Sequence, residues 1–303
     1  MIHYIKHKNI NRIKWDALIE KSLNSNCYAY SWYLDVIGEG WDILVEDDYL
    51  SGMPVCVDRK YTLKYILAPM FAQQLGIFSI HRIDQKLIND FVRQLPTAVY
   101  IDANLNYAND FSFEGFTQTY KSNYELNLNK SYPELRKDIS ENTRRNIKKA
   151  KNANLIIERN TDIDTVIDLF KKNKGEIYKH IKKKNYQVLK TLIGKLIERQ
   201  SLEIWYVKDT FGNIFVGGFF ILLQNRIVFL FSGRTEEAKN NGAVFFLFNE
   251  LISAYAGKDI ILDFAGSNDP GVARLYKSFG AEEKKYLRIV KNRLPFFIKW
   301  LKK

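Results

Sequence analysis

Residues 260–283, IILDFAGSNDPGVARLYKSFGAEE, decide how this chain folds. Four of the first five residues are apolar and predict a short buried strand that also carries Asp263, and the polar residues after them predict a loop. Apolar side chains then recur at i, i+3, i+4 and i+7, as on the buried face of a helix, at Val272, Leu275, Tyr276 and Phe279. Gly280 ends the pattern. The segment therefore predicts the strand, loop and helix of an α/β protein.

The residues before this segment extend the same pattern. Residues 202–231 predict three strands, and a polar linker containing Gly242 leads from the third strand into a helix that Gly257 closes. A strand that enters a glycine-containing loop at a helix N-terminus offers backbone N–H groups and the positive end of the helix dipole. Such a loop can hold a pyrophosphate, although an ordinary loop with a glycine fits the same residues.

The first 120 residues are predicted to be mixed α and β. Apolar residues at helical spacing over 87–95 stop at Pro96, and residues 98–101 predict a strand directly after them. The polar, turn-rich stretch 104–115 then predicts a connection to the rest of the chain.

Charge is the one anomaly of the composition. The 303 residues are 46% hydrophobic and 26% charged, which excludes collagen-like and disordered classes. Lys and Arg number 46 against 34 Asp and Glu, a net charge of +12. Residues 121–200 carry 20 basic and 10 acidic side chains, so most of the excess lies there. A basic region favours anionic partners such as phosphates, nucleic acid or acidic lipid.

Several classes of protein are excluded by the remaining composition. Cys27 and Cys56 are the only cysteines, and with four scattered histidines they show no metal-ligand spacing, so no metal site is predicted. The N-terminus lacks the apolar stretch of a signal peptide. The longest uncharged stretch, 65–81, is too short and too polar to span a bilayer. These features predict a cytoplasmic protein.

Two motifs resemble the GNAT acyltransferases. Residues 275–283, LYKSFGAEE, resemble the helix-to-strand corner that this family writes L-Y-x-x-x-G-F. Residues 239–244, KNNGAV, partly match its donor pyrophosphate loop, [QR]-x-x-G-x-[GA]. The central glycine is present, whereas Lys239 replaces Gln or Arg and Val244 replaces the last small residue.

Three patches, in the expected order, make the chain similar to the FemAB-like subgroup of that superfamily. They are PMFAQQLG at 69–76, TRRNIKKA at 143–150, and the segment 264–281. The resemblance implies an α/β fold of tandem GNAT-like domains, with a degenerate domain at 1–122 and an acyltransferase domain at 123–303. It also implies direct N-acyl transfer to an amine, with acyl-coenzyme A or aminoacyl-tRNA as donor substrate and no permanently bound cofactor.

The resemblance and the residue types together indicate the residues of a candidate active site. Tyr276 matches the family's general acid, although a buried tyrosine on an apolar face is also an ordinary core residue. Asp263, near the end of an apolar strand, is a candidate general base or a cap of the following loop. The predicted donor-binding residues are Lys239, Asn240, Asn241, Gly242, Ala243 and Val244. The predicted substrate-binding residues are Arg234, Ser267, Asn268, Lys277, Gln73 and Gln74.

The basic run in the middle of the chain leaves two interpretations open. Arg144, Arg145, Lys148 and Lys149 could contact the phosphates of a nucleotide donor or of tRNA, or form a solvated helix face. The alternative function is therefore a non-catalytic GNAT-like module that binds RNA or another anionic polymer through residues 121–200. DNA is not expected as a partner. The basic, amphipathic segment 293–303 is expected to dock onto its domain and not onto a membrane.

Overall fold

The structure is a computed structural model that describes residues 1–60, 62–160, 162–174, 181–266 and 268–295. Internal contacts divide the chain into unit 1, residues 1–121 with the described part of 285–303, and unit 2, residues 122–284. The elements of unit 1 are β1 (Ile2–Ile5), α1 (Arg12–Lys21), α2 (Ser31–Ile37), β2 (Asp42–Glu46), β3 (Ser51–Val55), β4 (Val57–Lys60), β5 (Leu63–Leu67), β6 (Phe78–Ser79), α3 (Gln85–Gln94) and β7 (Tyr100–Asn104).

The chain passes into unit 2 within β8 (Thr117–Asn127) and returns to unit 1 within β14 (Glu282–Asn292). The elements between them are α4 (Tyr132–Asp138), α5 (Glu141–Asn152), β9 (Ile156–Asn160), α6 (Asp164–Lys174), α7 (Lys183–Glu198), β10 (Leu202–Lys208), β11 (Ile214–Leu223), β12 (Arg226–Arg234), α8 (Ala243–Tyr255), β13 (Ile261–Asp263) and α9 (Pro270–Lys277). The predicted order of strands and helices after residue 201 is confirmed.

Unit 1 contains an antiparallel sheet of order β1-β2-β3-β6 and a mixed group of order β4-β5-β7-β14. The last strand explains why residues 285–295 belong to this unit, whereas the sequence predicts a second domain of residues 123–303. Leu287 and Ile289 are buried in the core of unit 1, and Arg288 donates two 2.7 Å hydrogen bonds to Asp102 of β7. The paired residues of β7 and β14 are nearly 200 positions apart in the sequence, so a local sequence pattern does not predict their pairing.

Unit 2 is built on strands of order β8-β13-β12-β11-β10-β9, in which only β12 and β13 pair in parallel. Its largest buried side chains come from β10, β11, α8 and the residues Phe264 and Phe279 on either side of α9. Two helix starts follow their sequence signals. Ser131 and Glu134 form a capping box on α4, and Asp269 accepts hydrogen bonds from the N–H groups of Gly271 and Val272 at the start of α9. Within the described ranges, no helix has the length and apolar character needed to cross a membrane.

Candidate functional site

A wedge opens in unit 2 where the two parallel strands separate. The strand β12 pairs with β13 only over Arg226–Val228; β13 ends at Asp263, whereas β12 continues to Arg234. Beyond the paired residues, β12, α8 and α9 surround a cavity of about 500 Å³, here called the wedge cavity. Its lining residues are Val216, Phe229, Ser232, Arg234, Ala238, Lys239, Val244, Phe245, Leu247, Phe248, Asp269, Gly271, Val272, Leu275 and Tyr276. Its volume is within the range of small-molecule sites.

A bulge in β12 decides which side chains face this cavity. Phe219 pairs with Phe231 and Phe220 pairs with Phe229, so one extra residue of β12 lies between the two pairs. Phe231 faces α6, where its ring lies 4.7 Å from that of Phe170, whereas Phe229 faces α8. Without the extra residue, Phe229 and Phe231 would lie on the same face. The bulge therefore places Phe229 on the cavity side with Ser232 and Arg234.

Tyr276 of α9 faces the wedge cavity and is 5% exposed. Its ring stacks on Phe264 at a centroid distance of 4.5 Å. Burial, and secondarily the negative charge of Asp263, raises the pKa of Tyr276 well above its usual value. The hydroxyl therefore keeps its proton through neutral pH and is a weaker acid than an exposed tyrosine.

Asp263 lies at the point where β12 and β13 separate, but it is not among the residues that line the cavity. Its Oδ2 accepts a 3.2 Å hydrogen bond from Arg226, and its Oδ1 accepts a 2.8 Å hydrogen bond from the N–H of Ala265. Burial, and then the charge of Glu125, raises the pKa of Asp263 to about 6. The carboxylate caps the following loop, and its role as general base stays a prediction.

The loop before α8 is held tightly against α5. Gly242 has φ +79°, and a Cβ atom there would lie 2.2 Å from the carbonyl oxygen of Asn146. Asn241 accepts a hydrogen bond from the N–H of Ala243. Lys239 and Val244 line the wedge cavity, whereas Asn240, Asn241, Gly242 and Ala243 do not. The first turn of α8 thus faces the cavity through Val244 and Phe245, whose N–H groups have no acceptor within the helix, whereas the N–H of Phe246 donates to the carbonyl oxygen of Gly242.

The two cations of the cavity differ in their partners. Lys239 lies 2.5 Å from Glu236, which also accepts a hydrogen bond from Asn173. Arg234 is half-buried and forms no side-chain hydrogen bond or ion pair with any residue of the described ranges, and its charge acts on Glu236 only from a distance. Arg234 can therefore bind an anionic group of a ligand bidentately.

Other predicted substrate residues lie elsewhere. Lys277 donates a 2.8 Å hydrogen bond to Glu283 and does not line the wedge cavity, and exposed Asn268 does not line it either. Ser267 and the terminal residues 296–303 lie outside the described residues.

Gln73 and Gln74 belong to unit 1, where Gln74 is buried and donates a 3.2 Å hydrogen bond to Gln73. Their role in substrate binding stays a prediction.

The cavity also contains Phe229, Phe248 and Asp269, which the sequence analysis does not predict as site residues. Of these three, only Asp269 has a recognisable sequence pattern, since an aspartate before a proline often begins a helix.

A second cavity of about 610 Å³, here called the basic concavity, lies between α4, α5 and α8. Its lining residues are Tyr132, Arg136, Glu141, Arg144, Arg145, Ile147, Lys148, Lys151 and Asn249. Three of the four predicted phosphate-contact residues are among them, and Lys149 is not. Tyr132 donates a 2.8 Å hydrogen bond to Asn249, which joins α4 to α8.

Among described residues, no group of His, Cys, Asp and Glu side chains could hold a metal ion.

Solved structures resemble the chain over most of its length. FemX aligns with a TM-score of 0.66 and 11% identity, covering 94% of this chain and 96% of that one. A conserved protein of unknown function from Bacteroides thetaiotaomicron aligns with a TM-score of 0.61 and 15% identity, covering 96% and 100%. A tandem GNAT protein from the clavulanic acid biosynthesis pathway aligns with a TM-score of 0.54 and 9% identity, covering 97% and 99%.

These structures show the class of fold. The chain has the tandem GNAT-like α/β fold that FemX shares, and the resemblance to FemAB-like proteins in the sequence is confirmed at the level of the fold. No family model matches the sequence, and no curated protein matches it.

Proposed function

We propose that the protein is an N-acyltransferase that binds a phosphate-bearing acyl donor in the wedge cavity and transfers the acyl group directly to an amine. The observation that supports this best is the pair of Tyr276 and Arg234 on one cavity. Tyr276 is a protonated acid, and Arg234 is a half-buried cation that forms no side-chain hydrogen bond or ion pair within the described ranges. A proton donor and an anion-binding group are what such a transfer needs.

The donor would lie along the wedge. Its phosphates would contact Arg234 and the first turn of α8, and its carbonyl carbon would lie near Tyr276. The neutral amine attacks this carbon, so a C–N bond forms and the C–S or C–O bond to the donor breaks. Tyr276 gives its proton to the leaving sulfur or oxygen, and the proton lost by the amine goes to a base or to water. Asp263 is the proposed base.

The donor is either acyl-coenzyme A or an aminoacyl-tRNA, and it is a substrate, not a bound cofactor. Both donors occur inside cells, so we place the reaction in the cytoplasm. The experiment is calorimetric titration of the protein with acetyl-coenzyme A and with a charged tRNA at low salt. Binding of at least one donor is expected, and it should weaken in the Arg234→Met variant. Binding of neither donor would overturn the proposed function.

The basic concavity favours a second candidate function, binding of RNA or another phosphate polymer. Five cations line it, against the single carboxylate of Glu141. A concave site lined by one sign of charge concentrates its field and attracts polyanions. It lacks a stack of exposed aromatic rings, so contact with phosphates is expected instead of base stacking.

Adjacent lysines of α5 provide a matched test of this second function. Lys148 lines the basic concavity and Lys149, also exposed, does not. The Lys148→Gln variant should lower RNA affinity and reduce the salt-dependence slope by about 1, because one phosphate contact is lost. The Lys149→Gln variant should leave that slope unchanged. Equal effects of the two substitutions would show that only the total charge of the helix matters.

A further inference from the structure

Apolar and polar residues separate along the wedge cavity. Phe229, Phe248 and Tyr276 form an aromatic floor near the point where the strands part, with Phe248 centred 5.1 Å from Phe229 and 6.1 Å from Tyr276. Leu247 and Leu275 add apolar side chains. The polar lining residues Ser232, Arg234, Lys239 and Asp269 belong to the far end of β12 and to the loops before α8 and α9.

The floor offers no negative charge to a cationic acyl group. Asp269 is the one carboxylate among the described lining residues, and its Oδ1 already accepts hydrogen bonds from Gly271 and Val272. Asp263 lies nearby, but it is 6% exposed and is bound by Arg226 and by a backbone N–H. An ammonium group on this floor would lose its water shell and meet no free carboxylate. A cation–π contact with the rings contributes less free energy than burying an unpaired charge costs.

We propose that the acyl group carried by the donor is an uncharged aliphatic chain longer than acetyl, bound against Phe229 and Phe248. The inference rests on the proposed function and specifies its substrate. It excludes aminoacyl groups, whose α-ammonium would meet the aromatic floor. The bulge in β12 is what sets this specificity, because it alone turns Phe229 into the cavity.

Burial of each methylene predicts the size of the effect. A buried methylene contributes enough free energy to tighten binding by roughly fourfold. Butyryl-coenzyme A, with two methylenes more than acetyl-coenzyme A, should therefore bind about 15-fold more tightly. β-Alanyl-coenzyme A has nearly the shape of the butyryl compound but ends in an ammonium group. It should bind at least about tenfold more weakly than butyryl-coenzyme A.

The experiment is calorimetric titration with coenzyme A and its acetyl, butyryl, hexanoyl and β-alanyl thioesters. The affinities expected above support the inference. Equal affinities for all five ligands, or tighter binding of the β-alanyl compound, would overturn the inference and leave the proposed function standing. Binding of none of them, together with binding of aminoacyl-tRNA, would also overturn the inference and retain the acyltransferase. Failure of every donor would overturn both.

Two phenylalanines on opposite faces of β12 give a matched pair of variants. Phe229→Leu removes part of the floor and should shift the chain-length preference toward longer acyl groups. Phe231→Leu makes the same change on the face toward α6 and should leave the preference unchanged. A preference that is unchanged in folded Phe229→Leu protein would contradict the assignment of the floor. Should either variant fail to fold, the wild-type thioester series decides the inference alone.

Discussion

The two cavities of unit 2 are similar in size and opposite in chemistry. The wedge cavity measures about 500 Å³ and is mostly apolar, with one cation that forms no hydrogen bond or ion pair within the described ranges. The basic concavity measures about 610 Å³ and carries five cations. They share no lining residue, although α8 contributes to both. The volume of a cavity therefore does not identify the class of ligand that it binds, whereas the chemistry of its lining side chains does.

The cavities also differ in what builds them. The wedge cavity exists because two strands separate and a bulge turns one strand, which are properties of the backbone. The basic concavity is formed by charged side chains of two short helices that meet at a corner. Substitutions should therefore affect each cavity separately, except at the packing of α8 against α5.

The largest effect is expected from removing one hydroxyl from the wedge cavity. Tyr276→Phe should slow acyl transfer by roughly 10²- to 10⁴-fold, since that is the usual contribution of a positioned general acid. Steady-state rates at saturating donor measure it. Tyr132→Phe makes the same change in the basic concavity and should leave the rate within about twofold. A wild-type rate in Tyr276→Phe would remove Tyr276 from the mechanism.

Two glycines at the ends of α8 test the packing that both cavities use. Gly242 and Gly257 each have φ +79°, but only Gly242 lies against a neighbour, the carbonyl oxygen of Asn146. Gly257→Ala should lower the free energy of unfolding by about 1–2 kcal/mol, because a residue with a Cβ atom is strained in a left-handed conformation. Gly242→Ala should cost at least about 3 kcal/mol, because α8 must move away from α5. Denaturant unfolding compares them, and equal losses would contradict the close approach.

A buried titratable carboxylate, Asp263, lies beside the wedge cavity at the end of β13. Asp263 has a pKa raised to about 6, above the value near 3.9 of an unfolded chain. Its ionisation in the folded state is unfavourable, so wild-type stability should fall relative to Asp263→Asn as the pH rises through this window. The change should reach up to about 3 kcal/mol between pH 4 and pH 7. A constant difference between the two proteins over that range would contradict the burial of this charge.

The smallest predicted effect compares the two cations of the wedge cavity. Arg234→Met should weaken donor binding by about 10- to 100-fold, because a charged hydrogen bond to a phosphate is lost. Lys239→Met should weaken it by less than about fivefold, since this lysine already pairs with Glu236 at the surface. Donor titrations at constant salt measure both. Equal losses would mean that the phosphates bind through general positive charge.

Much of unit 2 was predictable because its signals are local. The strand, loop and helix of residues 260–283 follow from apolar periodicity, from Asp269 before Pro270, and from Gly280. Tyr276 was predictable as a cavity residue from its resemblance to a family motif, and Arg234 from its place at a strand end. The hydrogen bond of Lys277 to Glu283 was not predictable, because Glu283 comes close to Lys277 only after the chain turns from α9 into β14.

The sequence by itself determined the order of strands and helices after residue 201 and the concentration of positive charge, since both depend on neighbours along the chain, and its motifs resembled those of a tandem fold. Only the tertiary structure decided that Phe229 faces the cavity, that Asp263 is bound by Arg226, and that residues 285–295 complete unit 1. These features depend on strand register and on contacts between distant residues. A one-residue shift in pairing reverses the side of the sheet on which a side chain lies.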